Sequence, residues 1–114
     1  MDKAHITDDS TSVVYIGSGT LIRGNLDAPS EVIVNGRFEG TLNASQVTVE
    51  KNGYLSGITI ADNVIVYGRI DQELVSTNSL QIHATGVVTG NVSYYDIEIS
   101  KGGQLDGTLI HRNV

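Results

Sequence analysis

Cysteine and tryptophan are absent from this chain of 114 residues, which also has a single proline and only six aromatic residues. Without cysteine there can be no disulfide framework, no thiol chemistry and no cysteine-ligated zinc. Basic residues are also few: seven stand against 13 acidic ones, and the formal net charge of -6 argues against a nucleic-acid groove. No apolar run approaches the roughly 18 residues of a membrane span, and no signal-peptide pattern is recognisable. The length suits one domain with a modest core.

Glycine, by contrast, is abundant, with 13 residues or about 11% of the chain against a usual ~7%. The pattern Gly-x-apolar-x-Gly occurs four times, at Gly36–Gly40, Gly53–Gly57, Gly86–Gly90 and Gly103–Gly107. Two incomplete copies have Thr20 in place of the first glycine and Gln72 in place of the second. The second-glycine position therefore recurs six times between residues 24 and 107, at a mean spacing of about 16.6 residues.

An apolar-x-apolar triplet lies between the glycine motifs and also recurs six times. Its copies are Val14/Ile16, Val32/Val34, Val47/Val49, Val64/Val66, Leu80/Ile82 and Ile97/Ile99. Period-two alternation over such short runs is typical of strands, and each glycine disfavours helix by about 1 kcal/mol. About 17 residues at ~3.3 Å each make one closed turn rather than a hairpin. We therefore predict an all-β fold, a single-stranded parallel β-helix (β-solenoid) of about six rungs with 16–17 residues each.

Equivalent positions in successive rungs predict which side chains share a column in the interior. The two columns are Ile22, Phe38, Leu55, Ile70, Val88, Leu105 and Leu26, Leu42, Thr59, Leu74, Val92, Leu109. Thr59 is the exception, and its neighbours Ile58 and Ile60 suggest a local shift of register. The interior is predicted to be a packed core rather than a ligand channel. On the outside, Arg23 and Glu39 of successive rungs are placed to pair.

Residues with catalytic or metal-binding potential are sparse. The three histidines are His5, His83 and His111. They fall on different rungs without a shared column, so we predict neither a metal site nor a cofactor. No serine has a base at a matching offset, and no enzymatic activity is predicted. Tyr15, Ile33 and Ile65 are apolar at outward-facing positions, either as ordinary exposed residues or as a lateral or membrane-facing patch.

The ends of the predicted solenoid need shielding, because an open end rung exposes strand edges and core side chains. Only a short polar tail precedes the first rung, and four residues follow the last one. We predict a polymerisation interface formed by the apolar residues of both end rungs: Val14, Ile16, Ile22, Leu26, Ile97, Ile99, Leu105 and Leu109. Like ends that meet in alternating two-fold contacts would build a filament without polarity.

The repeat resembles that of the bactofilins, bacterial polymer-forming cytoskeletal proteins built as right-handed β-helices. The resemblance runs from about Val13 to Ile110 and rests on Val32–Gly40, Asn63–Ile70 and Ile97–Gly107. It implies a right-handed solenoid that assembles end to end into non-polar filaments without nucleotide. It also implies a cytoplasmic protein, associated in many family members with the inner membrane surface, that scaffolds cell-wall enzymes or cell-shape machinery.

The chain accordingly divides into a flexible N-terminal tail (1–12), a β-helix domain (13–110) and a short C-terminal tail (111–114). Other classes of protein stay open. A capped β-helical binding module, like the C-terminal domain of the bacterial division inhibitor that pairs with the Min ATPase, would be dimeric rather than filamentous. A hexapeptide-repeat acyltransferase is less favoured, because it needs a six-residue sub-period and rungs of about 18 residues. An ice-binding solenoid is more remote, since no outward column is a threonine ladder.

Overall fold

The computed structural model describes residues 13–27 and 30–111 and the backbone of residues 3–5. Its ten strands pair in parallel into one continuous sheet, wound as a β-solenoid of six turns. The strands are β1 (Lys3–His5), β2 (Val13–Ile16), β3 (Leu21–Asp27), β4 (Glu31–Val34), β5 (Arg37–Val49), β6 (Tyr54–Val66), β7 (Arg69–Ile82), β8 (Val87–Tyr94), β9 (Ile97–Ile99) and β10 (Gln104–His111). These ranges contain no helix, so the predicted all-β parallel solenoid is confirmed.

Each turn has three faces, which we number in chain order. Face 1 carries the apolar-x-apolar triplet, face 2 lies between the two glycine positions, and face 3 follows the second glycine. The long strands β5, β6 and β7 bend twice and supply faces 2 and 3 of one turn and face 1 of the next. A corner of one or three residues, followed by the first glycine position, joins face 1 to face 2.

Successive turns pair with the register that the repeat predicts. On face 2, Phe38 lies opposite Ile22 and Leu55. On face 1, Val47 lies opposite Val32 and Val64. The alternating side chains of these columns point inwards and are almost completely buried in the four middle turns. The interior is thus a close-packed apolar core, in which each side chain rests on its counterparts one turn away.

The predicted shift of register around Thr59 is wrong. Thr59 is 3% exposed and continues the interior column between Leu42 and Leu74, while Ile58 and Ile60 point outwards. The irregularity lies a few residues later, between Ala61 and Asn63, where β7 has one residue more than β6.

A hydrogen-bonded cluster accommodates that extra residue. Ser76 is buried, and its hydroxyl lies 2.8 Å from the carbonyl oxygen of Ser79 and 3.2 Å from that of Asp62. Asn78 and Ser79 both donate side-chain hydrogen bonds to Asn63 Oδ1, at 2.8 and 3.1 Å. Pairing of these polar groups removes the penalty that an unsatisfied buried group would carry.

The second glycine position forms the bend between faces 2 and 3. Its six members all have positive φ: Gly24 (125°), Gly40 (134°), Gly57 (114°), Gln72 (81°), Gly90 (106°) and Gly107 (135°). A Cβ atom at Gly57 would lie 2.1 Å from the carbonyl oxygen of Gly40, so the stacking leaves no room for a side chain there. Gln72 is the one non-glycine with positive φ among the described residues, and beside it the β7–β8 ladder breaks between Ile70 and Glu73.

The two termini of the solenoid extend past the predicted domain boundaries. Lys3–His5 forms β1, which pairs in parallel with Asn25–Asp27 of β3. The prediction of a flexible tail over 1–12 did not include this strand, and the rest of that tail lies outside the described residues. At the other end, β10 extends to His111, one residue past the predicted limit; residues 112–114 lie outside the described residues.

Candidate functional site

The C-terminal end of the solenoid exposes the apolar side chains of the sixth turn. Ile99 and Leu109 are 44% and 48% exposed, and Ile97 and Leu105 are half-buried. One turn earlier, Val92, the partner of Leu109, is 1% exposed. The outer edges of β9 and β10 pair with no strand of the described chain. The four predicted interface residues of this end therefore form one open apolar surface.

The N-terminal end is more covered than its sequence suggested. Val14 and Ile22 are half-buried, but Ile16 and Leu26 are each 1% exposed. Strand β1 lies along the edge of β3 on face 3, with Ala4 opposite Leu26. In the single chain, Val14 and Ile22 are thus the accessible members of the predicted N-terminal interface, and Ile16 and Leu26 belong to the core.

The first glycine position allows successive turns to approach closely. A Cβ atom at Gly36, Gly53 or Gly68 would lie 2.2–2.3 Å from a carbonyl oxygen of the preceding turn. Thr20 has this position in the first turn: its carbonyl oxygen accepts from the Arg37 N–H at 2.8 Å, as that of Gly36 accepts from the Tyr54 N–H at 2.9 Å. Thr20 is exposed, because no described corner lies before it to meet its side chain. The first copy of the repeat can therefore carry Thr20 in place of glycine, because no described corner would clash with its side chain.

The predicted lateral patch lies in one outward column of face 1. Tyr15 is paired with Ile33, Ile33 with Thr48, and Thr48 with Ile65. Tyr15 is 60% exposed, whereas Ile33 and Ile65 are half-buried. The three residues are thus aligned, but Thr48 interrupts them.

An ion-pair network covers the outside of face 2. Arg23 Nε and Arg37 Nε donate to the two carboxylate oxygens of Glu39, at 3.1 and 2.8 Å, which confirms the predicted Arg23–Glu39 pair. Arg69 Nε donates to Asp71 Oδ1 at 3.2 Å, and the Tyr54 hydroxyl donates to Asp71 Oδ2 at 2.6 Å. Exposed pairs of this kind contribute ~0–1 kcal/mol each, so the network orients side chains more than it stabilises the fold.

The ionisation of Asp71 and Tyr54 is coupled through their hydrogen bond. Burial raises the pKa of Asp71, but hydrogen bonds from Thr89 and Tyr54 and the charge of Arg69 together bring that pKa below its ordinary value. The hydrogen bond to Asp71, followed by burial, raises the pKa of the Tyr54 phenol. Both shifts favour the same state, a charged carboxylate bonded to a neutral phenol.

The described histidines lie in aromatic stacks rather than in a ligand cluster. His83 stacks on Tyr67 with ring centres 4.4 Å apart, and His111 stacks on Tyr94 at 5.2 Å. No group of three His, Cys, Asp or Glu residues suited to a metal ion occurs in the part of the chain that the structure describes. The side chain of His5 lies outside that part. Over the same residues, no helix is long and apolar enough to span a bilayer.

A protein-family model described as "Bactofilin: Polymer-forming cytoskeletal" matches residues 14–110, which include all six turns. The chain belongs to the bactofilin family. Among curated proteins, Bactofilin BacP of Myxococcus xanthus (strain DK1622) is 28% identical over 95 residues, or 82% of this chain and 40% of BacP. This bactofilin chain thus spans less than half the length of that relative. No solved structure matches this chain significantly.

Membership of a polymer-forming cytoskeletal family confirms the resemblance that the repeat indicated. It also supports self-association and suggests a structural protein rather than an enzyme. For a bactofilin of this shape, the surfaces through which copies meet are the candidate functional site. All four predicted interface residues of the sixth turn are at least partly accessible, whereas Ile16 and Leu26 of the first turn are buried.

Proposed function

We propose that this bactofilin is a structural protein that assembles end to end into non-polar filaments without nucleotide. The observation that carries the proposal is the open sixth turn, where Ile99 and Leu109 are each nearly half exposed. Removing the exposed area of such a side chain from water contributes ~1 kcal/mol to the free energy of association. In a two-fold contact the same residue of both copies is covered, so each residue contributes twice. A contact between two C-terminal ends therefore gains apolar burial without any bound ligand.

Thr20 supports contacts between like ends over head-to-tail stacking. In head-to-tail stacking, the sixth turn of one copy would pair in parallel with the first turn of the next copy. The carbonyl groups of the sixth-turn corner would then lie against Thr20 of that next copy. The matching case within the chain is Gly103, where one three-residue corner also stacks on another, and a Cβ atom there would lie 2.9 and 3.2 Å from two carbonyl oxygens. Thr20 has a Cβ atom and would meet this overlap. A two-fold contact avoids the overlap, because the strands of the two copies then run antiparallel.

Spin-label distances test the polarity of the filament. The chain has no cysteine, so Lys101→Cys in the sixth-turn corner and Lys51→Cys in the equivalent third-turn corner carry one label each. Head-to-tail stacking repeats every residue after one protein length, about 29 Å for six turns at ~4.8 Å. Both labels would then give the same nearest distance.

Non-polar assembly predicts different distances for the two labels, because Lys101 lies beside a like-end contact and Lys51 lies three turns away from it. Equal distances at both positions would contradict non-polar assembly. Negative-stain images without filaments would contradict end-to-end assembly itself.

A capped dimeric module is the second candidate, and one observation favours it. Strand β1 covers the edge of β3 at the N-terminal end, whereas the C-terminal end is open. A chain that keeps β1 in place has one fully open end and would stop at a dimer. Sedimentation separates the candidates: dimers that do not grow with protein concentration support the module, and concentration-dependent polymers support the filament.

We further propose that the filaments act in the cytoplasm, at the inner membrane surface, as a scaffold for cell-wall enzymes or cell-shape machinery. The resemblance to the bactofilins implies this role, and the Tyr15, Ile33 and Ile65 side chains, which share one column with Thr48 between the two isoleucines, offer apolar groups to the bilayer. Flotation with anionic vesicles tests this contact: Tyr15→Asp should reduce the floated fraction, while the outward Gln81→Asp in the same column should not. Equal flotation of Tyr15→Asp and the unaltered chain would refute it.

A further inference from the structure

A cleft lies over the corner of the second turn. This corner consists of Asn35 alone before Gly36, whereas the corners of the first and third turns have three residues each, 17–19 and 50–52. The longer corners stand on either side of the short one and border an open depression of about 380 Å³. Its polar lining residues are Ser18, Thr20, Asn35, Arg37, Asn52 and Tyr54. The volume is within the range of small-ligand sites, ~300–1,000 Å³.

The fourth turn shows the alternative to an open cleft. It also has a one-residue corner, Tyr67 before Gly68, between corners of three residues. The Tyr67 ring packs on His83 of the next corner, with ring planes 16° apart. In the second turn the equivalent residue is Asn35, whose amide donates to the Tyr15 hydroxyl at 3.3 Å. Because the second-turn corner residue is Asn35 and not an aromatic residue, no ring of that corner fills the space above it.

Arg37 is the single ionised side chain that lines this cleft among the described residues, although the chain has 13 acidic residues. Its Nε donates to Glu39 at 2.8 Å, and its guanidinium carbon lies 4.9 Å from the centre of the Tyr54 ring. These two contacts orient the guanidinium, although the Arg37 side chain stays 57% exposed. Its two Nη groups have no hydrogen-bond partner in the described chain. A guanidinium presents paired donors that match the two oxygens of a carboxylate.

We propose that this cleft binds a carboxylate, with Arg37 as the anchor and Ser18, Thr20 and Asn52 as further hydrogen-bond donors. No acidic side chain lines the described cleft, and the Glu39 carboxylate that pairs with Arg37 is shared with Arg23, so two guanidinium groups and one carboxylate leave a net positive charge beside the cleft. Because Glu39 and Tyr54 already orient Arg37, less side-chain freedom is lost on binding than for an unpaired arginine. The carboxylate can belong to a free dicarboxylic acid or to an acidic peptide. The cleft lies on a corner column and not on the open sixth turn, so binding does not require the contact between C-terminal ends.

Calorimetric titration of the full chain with three probes tests this proposal: glutarate, a tetraglutamate peptide with blocked ends, and inorganic phosphate. We expect a carboxylate probe to bind, and Arg37→Gln to weaken its binding tenfold to a hundredfold, as expected for a lost charged hydrogen bond. Arg69→Gln is the matched control. Arg69 lies in the same outward column two turns later, pairs through Nε with Asp71 at 3.2 Å, and does not line the cleft.

The control variant should bind within twofold of the unaltered chain. Tighter binding of the peptide than of glutarate assigns the carboxylate to an acidic segment, and equal binding assigns it to a free acid; each supports the proposal. No binding of either carboxylate at millimolar concentration overturns it, as does tighter binding of phosphate or an equal loss in Arg69→Gln. If Arg37→Gln does not fold by circular dichroism, Thr20→Val takes its place and should weaken binding severalfold; unchanged binding then counts against the proposal.

Discussion

Replacing Gly57 by alanine should destabilise the solenoid more than the same replacement at Gly19. Both glycines have positive φ, +114° and +84°, so alanine is strained at either position. Their surroundings differ: a Cβ atom at Gly57 would lie 2.1 Å from the Gly40 carbonyl oxygen, whereas one at Gly19 would meet nothing within 4 Å. The pair therefore separates the cost of backbone conformation from the cost of close stacking.

The magnitude follows from these two costs. The conformational strain amounts to ~1–3 kcal/mol at either glycine. At Gly57 the Gly40 oxygen must also retreat by about 1 Å or more before the two atoms reach an ordinary contact. Since turns stack ~4.8 Å apart, such a movement disrupts the ladder on either side, at about 1 kcal/mol for each of roughly two hydrogen bonds. We expect a loss of about 3–5 kcal/mol for Gly57→Ala, from a total stability that is ~5–15 kcal/mol for a typical domain.

Urea unfolding followed by far-UV circular dichroism measures both variants. The protein concentration must be the same for each, because assembly adds to the apparent stability. Gly57→Ala should unfold at clearly lower urea than Gly19→Ala, with local hydrogen exchange accelerated in β5 and β6. Equal free energies of unfolding for the two variants would refute the stacking argument, because the overlap with Gly40 would then cost nothing.

Four further predictions follow from single side chains. Leu55→Ala should lower the free energy of unfolding by about 2–5 kcal/mol in urea, because Leu55 is buried in the core; a loss below ~1 kcal/mol would mean that the core is loosely packed. Gln72→Gly should raise the free energy of unfolding by about 0.5–1 kcal/mol, and the melting temperature with it, since relief of the positive φ outweighs the lost hydrogen bond to Ser56 at 3.2 Å. Gln72→Ala keeps the Cβ atom and should not raise the melting temperature. The lowered pKa of Asp71 means that its charge stabilises the fold above the unfolded pKa near 4 and that this contribution is lost as the pH falls through the folded pKa. Asp71→Asn should therefore flatten the acid limb of a melting-temperature profile, and an unaltered limb contradicts the assignment. Leu109→Arg should yield soluble monomers or dimers on sedimentation, because it places a charge in the open sixth turn; long filaments from this variant would exclude that end as a contact.

The repeat could be predicted because each column holds one residue type at a regular spacing. Glycine at the corners, apolar residues in alternation and a period near 17 residues are all local properties of the sequence, and together they predicted the pairing of Phe38 with Leu55. Thr59 shows the limit of this reasoning. A polar residue in an apolar column suggested a shift, but the register is unbroken and Thr59 stays in the interior column, where the apolar Leu42 and Leu74 lie on either side of it.

The accessibility of the two ends could not be predicted from the columns. Leu26 and Leu109 have equivalent positions, yet their exposures are 1% and 48%. The difference arises because β1 returns from the preceding tail to pair with β3, and a polar segment of three residues carries no strand pattern strong enough to predict that contact. The cleft over the second-turn corner was equally hidden, since it depends on the relative lengths of three corners that stack in space.

The number of turns, the faces that enter the core and the residues at the bends could be predicted, because they follow from the spacing of neighbouring residues. What each residue meets one turn away depends on the stacking of the turns, which brings together groups ~4.8 Å apart in space but about 17 residues apart along the chain. That distance explains why Gly36 must lack a side chain while Thr20, with no described turn before it, can carry one. It also places Arg37 on the ring of Tyr54, a contact that joins residues 17 positions apart in the sequence.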